Sequence, residues 1–308
     1  MATVAPRLIA PSERLRGHLA MALFALLIAV SFSIGSRAAP HIGAGALNAV
    51  RFFFGFIAMG VIAWVLTPVE ARASLLRPKS VWRFLILGSL MSVYFVMMFV
   101  ALKSTSPVST GAMLTLMPLI SAGLGVLVLR QTLSPVVLGS LLLAAAGAIW
   151  VIFRGDVNAI LAFDIGKGEI IFFIGVTAHA TYNVLVRKFN RGEPVISFTF
   201  WTLAATTLIL IVYATPELLS THWLELPAIV WACIVYLSIF TTAATYFLLQ
   251  YAVMRIPAAK AVAYFLLTPT YVILIEGLVG GGWARPPVFA GALVTLLGLA
   301  ILVISPDV

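Results

Sequence analysis

Apolar residues in this chain come in long unbroken runs, and each run ends in a short stretch carrying Pro, Gly, Arg or Lys. Neither strict alternation nor a narrow apolar stripe organises them, so half-buried strands and surface helices are poor descriptions of the pattern. About 20 helical residues rise about 30 Å, the thickness of a bilayer's hydrocarbon core. The runs predict ten such helices, over 19–37, 45–66, 82–102, 107–129, 134–153, 169–187, 195–214, 227–251, 257–280 and 287–304. Polar punctuation such as "RKFNRGEP" and "TPELLSTHWLELP" separates them. The expected fold is an all-α polytopic membrane protein.

Composition agrees, since 62% of residues are hydrophobic, 9% are charged and the mean hydropathy is +1.13. A soluble domain needs far more polar surface. The formal charge of +9 raises the question of nucleic acid, but the basic residues sit in short loops between spans, where membrane topology accounts for them. No nucleic-acid partner is expected. Placing the N-terminus in the cytoplasm puts thirteen of the nineteen Lys and Arg residues inside, and leaves only Arg37, Lys103, Arg154, Lys167 and Arg285 outside, with Arg51 within a span. That bias predicts cytoplasmic location for both termini. Residues 1–17 read as a short cytoplasmic tail. The run that follows is too long for a signal peptide and leads into another span, so it reads as a retained helix. Cys233 is the single cysteine and cannot form an intrachain disulfide.

The chain repeats itself. Aligning the stretch from Tyr94 with the stretch from Tyr246 also pairs Lys103 with Arg255, Pro118 with Pro269, Pro135 with Pro287 and Gly139 with Gly291. A weaker match pairs Arg37 with Arg187 and Arg51 with Trp201. Two units result, 18–153 and 167–305, each with five helices. Five is odd, so the second unit enters the membrane from the opposite side. Such inverted repeats offer two related arrangements around a midplane site, which is how transporters are built.

With ten spans, two five-helix halves, "NAVRFFFGFIAMG" in the second helix and "SPVSTGAMLTLMPLISAGLGVLVLRQTLSPVVLGSLLLAAAGAIWVI" beyond it, the chain resembles the EamA family of the drug/metabolite transporter superfamily. The resemblance runs from about His18 to Ser305. It implies a multi-pass carrier of the bacterial inner membrane, typically an exporter of amino acids, metabolites or toxic analogues, driven by the proton gradient or acting as a facilitator. The chain departs from the family pattern after the fourth and ninth helices. A glutamate common there is replaced by "RQTLS" around Gln131 and by "GGWAR" around Trp283.

Polar residues inside apolar spans are the candidates for chemistry, because burying them in a bilayer is costly without a use. Glu276 is the one carboxylate placed within a span, about four residues and about 6 Å from its end. Either it serves a proton or a solute, or it snorkels to the headgroups. Arg51, about six residues into the second helix, is expected at similar depth. It either pairs with Glu276, receives a solute carboxylate, or reaches the interface on its long stem. His179, Tyr182 and Asn183 share one helical face. The histidine either binds solute or a proton, or satisfies a neighbouring carbonyl. Tyr94, Tyr246, Gln250 and Tyr264 are either cavity wall or packing. Pro118 and Pro269 each free a carbonyl one turn back and are candidate hinges. Trp64, Trp82, Trp223 and Trp283 read as interfacial anchors.

No metal-ligand cluster, Gly-x-Ser-x-Gly elbow or phosphate loop occurs, so neither an enzyme, a cofactor nor a metal is expected. The reading is a secondary transporter, with an amino-acid-like or other zwitterionic solute, protons and the lipid bilayer as partners. Ten helices enclose a pathway without a second copy. The alternatives are a facilitative channel, a carrier for another metabolite or drug, and a membrane-embedded lipid-modifying enzyme.

Overall fold

The computed structural model describes residues 11–67, 72, 78, 80–253 and 255–305. The side chains of Tyr246 and Gln250 lie outside the described residues, as do residues 1–10 of the expected tail. Ten helices long and apolar enough to cross a membrane are present among the described residues. We number them α1 (Pro11–Ala38), α2 (Ala44–Leu66), α3 (Trp82–Ala101), α4 (Pro107–Leu129), α5 (Pro135–Ile152), α6 (Lys167–Phe189) and α7 (Val195–Ser220). In α8, the α-helices Ala228–Ser238 and Thr245–Val253 flank a π-helical turn, Ile239–Ala244. α9 joins Ala258–Ala263 to Thr268–Leu278 through a tighter turn at Tyr264–Leu267, and α10 is Pro286–Ile304.

Local chemistry sets the helix ends. Ser106 and Ser134 accept hydrogen bonds from the backbone N–H groups of Ser109 (3.1 Å) and Val137 (3.3 Å), and a proline follows each serine at the first helical position. α4 is itself broken into Pro107–Leu114 and Met117–Leu129, just before Pro118. The tight turn in α9 stands just before Pro269. Both paired prolines therefore sit at interruptions, where a missing N–H costs least. α7 runs six residues beyond the expected end, through Pro216. Glu217 thus lies within a helix, and Glu276 is not the one carboxylate in a span. "TPEL" had the look of a turn, but membrane helices tolerate an internal proline.

The two halves superpose at one spacing. The helix starts Ala44 and Val195, Pro107 and Ala258, and Pro135 and Pro286 each lie 151 residues apart, as do the ends Ala38 and Phe189. Packing obeys the same spacing. Gly17 is in close contact with Arg255 and Ile256, and Gly168 with Ser104 and Thr105. Between α5 and α10, Gly147 faces Gly291 while Gly298 faces Ser140. Each contact maps onto the other when residues exchange halves, as a pseudo-twofold axis requires. The alignment by letters had drifted between 150 and 152, and only Pro118 with Pro269 was in register. Apolar helices offer few distinctive letters, so a one-residue slip loses little.

The α5–α10 seam is backbone on backbone. A Cβ on Gly147 would lie 2.6 Å from the Gly291 carbonyl oxygen, and one on Gly291 would lie 2.8 Å from that of Gly147. Small residues of this kind let membrane helices approach without a hydrophobic driving force between them.

Candidate solute site

A cavity of about 280 Å³ lies in the centre of the bundle. Its wall comes from α1, α2, α3, α6, α7, α8 and the start of α9, whereas α5 and α10 contribute nothing to it among the described residues. Equivalent residues of the two halves face each other across it: Ile28 and His179, Ser31 and Tyr182, Arg51 and Thr202, Tyr94 and Thr245. The cavity therefore straddles the pseudo-twofold axis. It extends toward the end that carries both termini, where Ile62, Thr199, Leu249 and Val262 line it. Each stands four residues, about 6 Å, from the corresponding end of its helix.

Arg51 is 2% exposed and forms part of the wall. Its Nη2 donates to Thr241 Oγ1 at 3.0 Å, a hydroxyl carried on the π-helical turn of α8. The rings of Phe95 and Phe52 cover the guanidinium, with centroids 4.3 and 5.1 Å from its central carbon. Nε and Nη1 have no hydrogen-bond partner among the described residues. No carboxylate pairs with it among the described residues.

His179, Tyr182 and Asn183 line the same cavity, as their shared helical face predicts, and so does Tyr94. The His179 ring lies 4.4 Å from that of Tyr94, centroid to centroid, and its Nδ1 has no partner among the described residues. Asn183 Nδ2 stands 3.5 Å from Met117 Sδ. Tyr264 is elsewhere: it is buried beneath the start of α1, with Oη 2.9 Å from His18 Nδ1. Pro118 and Pro269 are buried away from the cavity.

Glu276 also stands apart from the cavity, and its partner is Arg37. Arg37 Nη1 donates to Oε1 at 3.0 Å and Nη2 donates to Oε2 at 3.2 Å, while Nη1 also reaches the Ser33 carbonyl at 2.7 Å. Of the alternatives open for Arg51, the pair with Glu276 does not form. Similar depth fixes the height of two residues, not the direction each faces. α1 packs on the Glu276 portion of α9 and brings Arg37 beside it, whereas α2 packs on α3, α7 and α8. Gly281 folds back over the carboxylate, where a Cβ would meet Glu276 Oε2 at 2.0 Å.

Two more carboxylates close this far end of the bundle. Glu217 accepts from the Ala46 backbone N–H at 2.8 Å, tying the end of α7 to the start of α2. Glu169 accepts from the hydroxyls of Ser109 (2.8 Å) and Thr105, tying α6 to α4. Sequence reasoning had missed Arg37, Glu169, Glu217 and Thr241. Counting carboxylates as well as Lys and Arg would have flagged the two glutamates, because they fall with Glu276 at the end with fewer basic residues. At the opposite end, Arg83 in the first turn of α3 donates to the Phe189 carbonyl and, at 2.6 Å, to Glu193, which lies outside the spans. This guanidinium holds the Glu193 carboxyl below the usual carboxylate range. Among the described residues no group of three His, Cys, Asp or Glu side chains could hold a metal ion.

Residues 15–153 and 166–304 each match the EamA-like transporter family. The chain belongs to that family. This EamA-like protein is a multi-pass membrane transporter of the drug/metabolite transporter superfamily, built as two inverted five-helix repeats. It is 26% identical over 260 residues to an uncharacterized transporter, YyaM, of Bacillus subtilis (strain 168), with 83% of this chain and 84% of that protein covered. A crystal structure shares the fold at a TM-score of 0.64 and 20% identity, covering 94% of this chain and 96% of that one.

Proposed function

We propose that this EamA-like transporter moves a small metabolite by alternating access, outward across the bacterial inner membrane, with both termini in the cytoplasm and one chain forming the pathway. Amino acids and related compounds are the solute class. The observation that carries this reading is the lean of the central cavity toward the termini end, where four helices line it within four residues of their ends, against Met98 of α3 alone at the other end. The cavity straddles the axis relating the halves and reaches toward the end bearing the termini. At the other end, Arg37–Glu276, Glu217–Ala46 and Glu169–Ser109 close the bundle.

In this reading the units 18–153 and 167–305 rock against each other, and α4 and α9 bend at the interruptions before Pro118 and Pro269. His179 in the cavity wall and Glu276 at the closure are the two groups proposed to carry a coupling proton. Flux of a labelled panel of amino acids and related metabolites into liposomes bearing the purified protein tests it, with and without an imposed pH gradient. Saturable, protein-dependent flux is the expected result. Flux that never saturates would make the chain a channel. Full gradient dependence retained in Glu276→Gln would remove that carboxylate from the coupling.

A further inference from the structure

Resting on that carrier reading, we propose that Arg51 receives the carboxylate of a monoanion with an apolar body, an organic acid without an ammonium group, rather than a zwitterion. Among the amino acids and related compounds above, this selects the deaminated acids.

The argument starts from charge balance. Arg51 is the one Lys, Arg, Asp or Glu side chain in the described wall of the cavity. A guanidinium buried without a counter-ion is expensive, and two of its nitrogens have no partner among the described residues. Phe95 and Phe52 pack together on one side of it, their ring centroids 4.9 Å apart, so its other side and its edges are what remain for a ligand. Nη2 spends one hydrogen on Thr241 and keeps a second, while Nη1 and Nε keep all of theirs. Together these form the fork that matches a carboxylate at two points. Both unpartnered nitrogens are shut off from water-sized space in this state. Pairing therefore requires the rings packed on Arg51 to open, which ties loading to a change in the wall.

The rest of the wall selects the body. Met21, Phe24, Met59, Met91 and Phe265 are apolar and polarizable, and suit a hydrocarbon or aromatic portion. No acidic side chain among the described lining residues is there to receive an ammonium group, and the guanidinium repels one. A dianion would leave one negative charge uncompensated. One cation, a flank of Met and Phe side chains and uncharged hydroxyls on the facing wall match one carboxylate on a largely apolar skeleton.

The test compares solutes of one skeleton. Counterflow is measured with the full-length protein in liposomes, using 4-methyl-2-oxopentanoate against leucine, phenylpyruvate against phenylalanine, and the neutral 4-methylpentanamide. Chloride serves as a competitor. The expected result is half-saturation at least about tenfold lower for the 2-oxo acids than for their amino acids, the equivalent of about 1.4 kcal/mol. Arg51→Gln should raise the 2-oxo acid value about tenfold or more. Arg51→Lys keeps the charge but loses the fork, and should give a smaller rise; it serves if the glutamine variant fails to fold. Leucine or phenylalanine saturating as tightly as its 2-oxo acid overturns the proposal and leaves the carrier reading intact. Equal competition by chloride overturns the apolar body. Flux of no panel member would remove the carrier reading, and the proposal with it.

Discussion

The two halves of the cavity wall share a backbone and differ in chemistry. Where the first half carries Arg51, Met91, Tyr94 and Ile28, the second carries Thr202, Thr242, Thr245 and His179 at the equivalent positions. One wall offers a cation among aromatic and thioether groups, and the other offers hydroxyls and an imidazole. With identical walls, the two facing states would hold a solute equally well. Unlike walls make the two states differ in energy, and a solute shifts their balance only by its differential affinity for them. The ends of the bundle differ in the same sense. Arg37 and Glu276 form a two-point ion pair at the far end, while the equivalent positions at the termini end, Lys188 and Gly125, form none among the described residues. The termini end is tied instead by Arg83–Glu193 and Arg255–Glu13, so a symmetric frame carries different locks at its two ends.

The sharpest way to break the comparison is to move the cation across the axis. Arg51→Thr alone should raise the half-saturating concentration of a carboxylate solute about tenfold to a hundredfold, as expected for a lost hydrogen-bonded charge. Adding Thr202→Arg should recover most of that in the same counterflow assay. A double variant as poor as the single would mean the two walls are not interchangeable.

Next comes the lock. Glu276→Gln removes its charge, and Gly281→Val displaces the carboxylate without changing charge, because the added Cβ falls 2.0 Å from Oε2. Both should favour opening of the far end by about 1 kcal/mol, about fivefold in population. The readout is alkylation of Ser33→Cys by an impermeant reagent in a Cys233→Ala background. Exchanging the charges, Arg37→Glu with Glu276→Arg, should return the rate toward its starting value.

Building the missing lock is the converse. Gly125→Glu places a carboxylate at the position equivalent to Glu276, with Lys188 as its intended partner. The Gln131 side chain must give way, since its Oε1 lies 2.8 Å from the new Cβ. Labelling of Ile62→Cys from the termini end should fall a fewfold. The smallest effect concerns Glu193. Its folded-state pKa is depressed by Arg83, so the pair stabilises the fold above the ordinary carboxylate pKa and loses that contribution as pH falls through the depressed value. Glu193→Gln should lower the melting temperature slightly at pH 7, less in high salt, and the gap should close under acidic conditions.

Much of this was legible in the residues. Bilayer thickness imposes a minimum length on every span, so unbroken apolar runs locate the ten helices within a few residues except at α1, which begins at Pro11 inside the expected tail, and at α7, where Pro216 imitated a stop. Arg51, Tyr94, His179, Tyr182 and Asn183 stood out because polar groups in apolar runs demand a reason, and the cavity gathers all five. Register and partnership were harder. Direction around a helix axis is settled by close packing of small residues such as Gly147 and Gly291, which look alike in a sequence. Hence the repeat was found but its spacing drifted, and Glu276 was noticed but given the wrong arginine.

The α5–α10 seam constrains how the machine can move. Backbone touches backbone there at two heights, Gly147 with Gly291 and Ser140 with Gly298, and neither point can slide without collision. In the proposed rocking, this pin would give the halves the movement of a clothes-peg's two arms. Sliding is opposed, rotation about the pin remains, and displacement grows with distance from it, so the largest travel would fall on the helices that surround the solute.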